Sequence, residues 1–271
     1  MQVKGRALSA VVNPRRGAKI TSLIDATGTE WLAQGTGREV ARDASFIDAE
    51  MCGWDECAPT IVACRIADHA LPDHGDLWDA EFAVDGDQVA VDGRSLPYRF
   101  RRRILATRRG LRIEYSAESS SGPIPFLWAG HPQFAAPPGT RVELPSDIDS
   151  VVDVLDAEAP ELRWTPELGT IDTLPIGGGR KLYVAPSSSI NRARLVRPDG
   201  SALVMRWSDV CRYLGIWFDQ CAYSAEPVIA LEPATAYYDS LERAVHLDRA
   251  PVLQPGRPLS WWVALEPQRA G

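Results

Sequence analysis

The sequence predicts an all-β protein built as a large antiparallel sandwich. Three observations point there. First, 21 glycines and 21 prolines are spread along 271 residues rather than clustered, which is the turn density that many short strands need. Second, residues 111–118 alternate strictly. Leu111, Ile113, Tyr115 and Ala117 alternate with Arg112, Glu114, Ser116 and Glu118, giving one buried face and one wet face. Third, no apolar pattern of helical period runs beyond two turns, and neither a repeat nor a low-complexity linker interrupts the chain. The strand tally is high for one sheet, so two packed sheets are expected. A chain of this length can form them as one domain over residues 1–271.

Residues 7–24 read as two strands around a turn from Asn13-Pro14 to Gly17. Residues 33–50 are polar and weakly patterned, and read as a loop. Trp54-Asp55-Glu56 sets two carboxylates beside an indole just before Pro59. Carboxylates accept hydroxyl hydrogen bonds and an aromatic ring covers the apolar face of a pyranose, so this segment either holds a sugar or is a solvated loop with one buried tryptophan. A meander of strands follows at 80–84, 88–91 and 98–106. Arg99, Arg101 and Arg103 share one face of the last, a face that is either solvated or able to bind a phosphate. Beyond residue 118, strands are expected at 141–144 and 151–155, and 156–181 is read as surface chain. Within it Gly177-Gly178-Gly179-Arg180-Lys181 lacks the ending of a phosphate loop and reads as a turn. A hairpin about Pro198-Asp199-Gly200 and strands at 213–218, 228–232 and 259–265 complete the chain.

Apolar residues make up 45% and charged residues 24%, an ordinary globular balance. A net charge of −7 repels nucleic acid and anionic membranes, so neither is an expected partner. No apolar run suits a signal peptide or a membrane span. Cys52, Cys57, Cys64, Cys211 and Cys221 make an odd set, which points to reduced thiols and the cytoplasm. Cys57, Cys64, His69 and His74 lack the spacing of a zinc finger, and no metal is expected.

Two residues carry possible chemistry. His131 follows the apolar run Pro125-Phe126-Leu127-Trp128-Ala129-Gly130 and precedes Pro132. Proline ends strand pairing, so the ring is expected where a strand leaves the core, able to exchange a proton near neutral pH. The alternative is a packed core histidine bonded to a carbonyl. Glu232 likewise follows Val228-Ile229-Ala230-Leu231 and precedes Pro233. It is either the first wet residue after a strand or a carboxylate facing a cleft. A carboxylate and a histidine facing one cleft make a general base and general acid pair.

These segments, taken in order, resemble the aldose 1-epimerases, the galactose mutarotase-like family. Val11-Val12-Asn13-Pro14 with Gly17 to Leu23 is similar to the family's opening strand pair, and Gly53-Trp54-Asp55-Glu56-Cys57-Ala58-Pro59 to a segment of its members. His74-Gly75 resembles the first histidine segment, Trp128 to Phe134 the second, and Leu231-Glu232-Pro233 with Asp239 the segment of the catalytic glutamate. Ala264-Leu265-Glu266-Pro267 repeats the motif without the following Tyr-Tyr-Asp, five residues from the end, and Glu232 is preferred. The resemblance implies a β-supersandwich and interconversion of the α and β anomers of a free sugar, with no cofactor. It implies that Glu232 takes the C1 hydroxyl proton, His131 protonates the ring oxygen and His74 bonds a sugar hydroxyl. Asp55, Glu56, Trp54 and Trp128 are the remaining candidates for holding the monosaccharide. The family's additional sugar-binding aspartate has no counterpart around Lys181; Asp219 is a candidate by proximity in sequence alone. A non-catalytic sugar-binding protein and a sugar-phosphate mutarotase are the competing expectations.

Overall fold

The structure, a computed structural model, describes residues 1–37, 41 and 44–270. The 33–50 loop therefore lies partly outside the described residues, at 38–40, 42 and 43, and its described part holds no strand or helix. In chain order the strands are β1 (Gln2–Val3), β2 (Leu8–Asn13), β3 (Lys19–Asp25), β4 (Gly53–Cys57), β5 (Cys64–Ile66), β6 (His69–Leu71), β7 (Ala83–Asp85), β8 (Gln88–Asp92), β9 (Tyr98–Ala106), β10 (Leu111–Ser119) and β11 (Ile124–Pro125). They continue as β12 (Ala129–Ala135), β13 (Arg141–Glu143), β14 (Ser150–Asp153), β15 (Glu161–Arg163), β16 (Gly178–Val184), β17 (Arg192–Val196), β18 (Ala202–Trp207), β19 (Tyr213–Gln220), β20 (Val228–Ala234), β21 (Val252–Leu253) and β22 (Leu259–Gln268). The α-helix among the described residues, α1 (Leu241–His246), starts at Ser240, whose hydroxyl accepts from the Arg243 N–H.

The strands form a ten-stranded sheet, β1-β2-β3-β4-β12-β20-β19-β16-β14-β15, and an eight-stranded sheet, β13-β17-β18-β22-β10-β9-β8-β7. Pairing within both is antiparallel. The expected alternation holds in β10, where Leu111, Ile113, Tyr115 and Ala117 are buried. Their side chains meet the inner face of the larger sheet around Trp54, Trp128, Phe134, Ile216 and Leu231.

A buried ion pair joins the two sheets. Glu56 of β4 accepts from Arg102 of β9 at 2.6 Å, from the Trp128 indole at 2.8 Å and from the Tyr115 hydroxyl at 3.3 Å. Arg102 also donates to the Ala18 carbonyl. Arg99, Arg101 and Arg103 alternate with Arg102 and so lie on the opposite, outer face, paired with Asp92, Glu118 and Asp87.

Neither His131 nor Glu232 ends its strand, contrary to the reading of the prolines. β12 continues to Ala135 and β20 to Ala234, with Pro132 and Pro233 inside them. The ladder between these strands pairs Ala129 with Ala234 and resumes at Gln133 with Ala230. Between those points it lapses, and both prolines fall in the lapse. That is how two central strands accept residues unable to donate. The 177–181 turn is also corrected: Gly178 to Tyr183 pair continuously with β19.

Candidate active site

Side chains along a strand alternate between faces. Since Glu56 points at the eight-stranded sheet, Asp55 beside it points away. His131 pairs with Asp55 and shares that outward face. Glu232 stands across the lapse from His131, between the Ala129–Ala234 and Gln133–Ala230 pairs. Asp55, His131 and Glu232 thus form a row over three adjacent strands, and all three are buried.

His131 Nε2 lies 3.6 Å from Glu232 Oε1, too far for a hydrogen bond, and that oxygen has no hydrogen-bond partner. The other oxygen, Oε2, accepts from Lys181. Lys181 belongs to β16, two strands from β20. Gly215 lies opposite Glu232 and leaves a gap that the Tyr183 ring crosses. A Cβ there would stand 3.0 Å from that ring. Lys181 Nζ is also 3.7 Å from Asp239 Oδ1, which accepts from the Tyr183 hydroxyl at 2.7 Å.

His74 approaches from the loop after β6. Gly75 has φ +72°, and a Cβ on it would collide with the Ala58 carbonyl, so only glycine lets this loop lie so close. Asp73 accepts from His74 Nδ1 at 2.7 Å, which leaves Nε2 for the site. The His74 and His131 rings are 5.9 Å apart and perpendicular. Phe46 stacks on His74 at 3.6 Å and meets His131 edge-on at 5.7 Å. Trp78 closes the same cluster.

At the other end of the row, Lys19 bonds Asp55 at 2.9 Å and the Glu50 carbonyl at 3.3 Å. Gln133 Nε2 lies 3.5 Å from the same Asp55 oxygen. Asp55 Oδ1 and Gln133 Oε1 are buried acceptors without a partner. A depression of about 330 Å³ opens here, lined by Lys19, Asp55, Phe46 and Trp78 among others.

Burial lowers His131 well below the usual imidazole value, helped by Lys181, His74 and Lys19. Burial raises Glu232, and Lys181 only partly offsets it. Burial opposes the charge on Lys181, but Asp239 and Glu232 outweigh it and raise the ammonium. Cys57, on the same face, is pushed well up by burial and by Glu232 and Asp55, and burial raises Cys52 too. Both stay thiols and are poor nucleophiles. Among the described residues no three His, Cys, Asp or Glu side chains are grouped to hold a metal.

The structure therefore brings together His131, Glu232, His74 and Asp55. It does not bring Glu56, Trp54 or Trp128 to the row. Glu56 serves the ion pair with Arg102, Trp128 serves Glu56, and Trp54 packs edge-on to Phe134 at 6.4 Å in the core. The strand alternation that exposes Asp55 to the site buries its neighbours. Asp219 is also occupied, accepting from the backbone N–H groups of Ala222, Tyr223 and Ser224. Glu266 lies within β22 of the other sheet, paired with Val204. Lys181, Lys19, Gln133 and Phe46 are the residues the sequence reading missed. Reading 178–184 as a strand would have put Lys181 and Tyr183 on one face.

No protein-family model matches the chain, and no curated protein matches it by sequence. Its structure matches solved ones over nearly its full length. A candidate aldose 1-epimerase from Escherichia coli K12 superposes with a TM-score of 0.73 at 19% identity, over 99% of this chain and 98% of that one. A galactose mutarotase-like protein from Lactobacillus casei gives 0.68 at 19% identity, over 99% of each chain. One from Clostridium acetobutylicum gives 0.69 at 16% identity, over 99% of this chain and 94% of that one. The fold is the galactose mutarotase-like β-sandwich.

Proposed function

We propose that the protein is an aldose 1-epimerase acting on a free monosaccharide, with Glu232 as general base and His131 as general acid. One observation carries the reading. A glutamate oxygen without a hydrogen-bond partner lies 3.6 Å from a histidine nitrogen, both buried on one face of the sheet. A protein that only held sugars would need the polar face but not this juxtaposition. The anomeric oxygen and the ring oxygen of a pyranose are bonded to the same carbon, so two groups this close can serve both.

The proton accounting closes. Glu232 Oε1 takes the proton of the C1 hydroxyl while protonated His131 gives one to the ring oxygen, and the C1–ring oxygen bond breaks. The C1–C2 bond of the open aldehyde rotates. Glu232 then returns a proton to the carbonyl oxygen as His131 recovers one from the C5 hydroxyl, giving the other anomer. No redox step occurs. Ordinary glutamate and histidine values lie about two units apart. Burial raises Glu232 and lowers His131, and both directions favour a proton leaving His131 and arriving at Glu232.

His74 and Asp55 bond sugar hydroxyls, with Lys19 and Gln133 beside Asp55. The sugar displaces the Phe46 ring, which covers both histidines. A free sugar is favoured over a phosphate ester because Lys19 and Lys181 are each already held by a carboxylate, and Arg99, Arg101 and Arg103 lie on the far sheet's outer face. We also read the chain as a single domain of the cytoplasm. All five cysteines are unpaired, and no described helix is long and apolar enough to cross a membrane.

Saturation-transfer NMR over free and phosphorylated aldoses tests the reading. Faster anomer exchange is expected for at least one free sugar, and less for its phosphate ester. Sugar binding without any acceleration would leave only the binding role. The rate is expected to follow a bell-shaped pH profile, because the pair works while holding one proton. It falls in acid as a second proton binds and in alkali as the last is lost. A rate that does not change across pH 4 to 9 would contradict an acid–base pair of this kind.

A further inference from the structure

Lys181 has no counterpart in the chemistry described above, yet it is buried against the base. Its ammonium bonds Glu232 Oε2 and lies 3.7 Å from Asp239 Oδ1. Asp239 is fixed in turn by the Tyr183 hydroxyl at 2.7 Å. One oxygen of Glu232 is thereby tied down and the other left facing His131. We propose that Lys181 and Asp239 are positioning residues that aim Glu232 and jointly set how tightly the Glu232–His131 pair holds its working proton. This inference rests on the reading of the site as a sugar ring-opening centre.

The charges act in opposite directions. Around Glu232 stand Lys181 and Tyr183 from β16, His131 from β12, Cys57 and Asp55 from β4, Lys19 from β3, His74 from the loop after β6 and Asp239 after β20. Of these, the Lys181 cation lowers the proton affinity of both Glu232 and His131, while the Asp239 anion raises that of Glu232. The geometry explains the need for both. A lone buried ammonium beside the base would hold it as a poorly basic carboxylate, and a lone second carboxylate would keep it protonated. Asp239 shares the lysine and moderates its pull.

Two variants are measured beside wild type. Lys181→Met is expected to lower kcat about 10²-fold with KM little changed, since a displaced base costs about that much. Its pH–rate profile moves to higher pH. Asp239→Asn keeps the shape and the tyrosine contact, and its profile moves to lower pH. Lys181→Arg keeps the charge and is expected to recover much of the position of the profile. A purely structural role would lower the amount of folded enzyme without moving the profile in opposite directions.

An activity-independent readout separates this inference from the reading beneath it. The ¹⁵N shifts of His131, followed against pH, are expected to show the imidazole titrating at higher pH in Lys181→Met than in wild type. A profile and titration unmoved in Lys181→Met would overturn the role of Lys181. A profile that moves the same way in both variants would overturn the opposed pairing. Absence of exchange in wild type would overturn the ring-opening reading instead. The His131 titration would then decide alone whether Lys181 sets the proton on this pair.

Discussion

Glu232→Gln lowers catalysed anomer exchange by about 10²–10⁴-fold, the range a positioned general base contributes. The substitution keeps the volume of the side chain and an oxygen able to accept from Lys181, so the sheet around it is preserved. What it removes is the basic oxygen facing His131, since an amide cannot take the C1 hydroxyl proton. The loss is expected in kcat, with KM within a few-fold, because ground-state contacts to the sugar come from His74, Asp55 and their neighbours. Lys181 keeps Asp239 at 3.7 Å as a partner, so a folded variant is expected. Exchange NMR on the substrate found for wild type reads the effect directly. A variant retaining more than about one tenth of the wild-type rate would remove Glu232 from the role of base.

Arg102→Met destabilises the fold by about 3–5 kcal/mol, the usual cost of stripping one partner from a buried ion pair. Glu56 is then left with only two neutral donors, the Trp128 indole and the Tyr115 hydroxyl. For a chain of this size the melting temperature is expected to fall by about 10 °C. Burial already pushes the Glu56 carboxyl up against the pull of Arg102, and without the arginine it rises further. A carboxyl raised in the folded state favours folding below its unfolded value and loses that contribution as pH rises through the folded one. The deficit of Arg102→Met is therefore smallest in acid and grows toward neutral pH. Adding Glu56→Leu removes the orphaned charge and is expected to restore much of the stability. Thermal melts of the single and double variants at two pH values test all of this. A deficit under about 1 kcal/mol at neutral pH would mean that the pair is not ionic.

The fold was legible wherever one sheet face is wet. β10 shows its alternation in plain residues, and the hairpin of β17 and β18 shows its Pro198-Asp199-Gly200 turn. The centre of the larger sheet was less legible because it is covered on both faces. β4 is buried at all five positions, so no alternation marks which of Trp54, Asp55 and Glu56 faces which side. The same burial made the prolines misleading. A proline inside a central strand requires a lapse in pairing with a particular neighbour, and that depends on a strand distant in sequence. Of the candidate site, Glu232 and His131 stood out as polar residues on apolar strands, and the resemblance, rather than their local sequence, joined them to each other and to His74. Lys181 was hidden because Gly177-Gly178-Gly179 suggests a turn. Its contact with Glu232 crosses the intervening strand β19, and that strand order is not written in the local sequence.

β4 also constrains how this protein can change. Its neighbouring carboxylates have opposite duties, Asp55 toward the row and Glu56 toward Arg102. A one-residue insertion or deletion inside the strand would reverse every side chain across the sheet. The acid that bonds Lys19 would be driven between the sheets and the acid that neutralises Arg102 would be carried out of them. Length changes are thus expected to be tolerated in the loop before residue 50 and rejected from Gly53 to Cys57. An indel scan scored by soluble yield would map that boundary, and with it the stretch where the candidate site and the fold are written on alternate letters of one word.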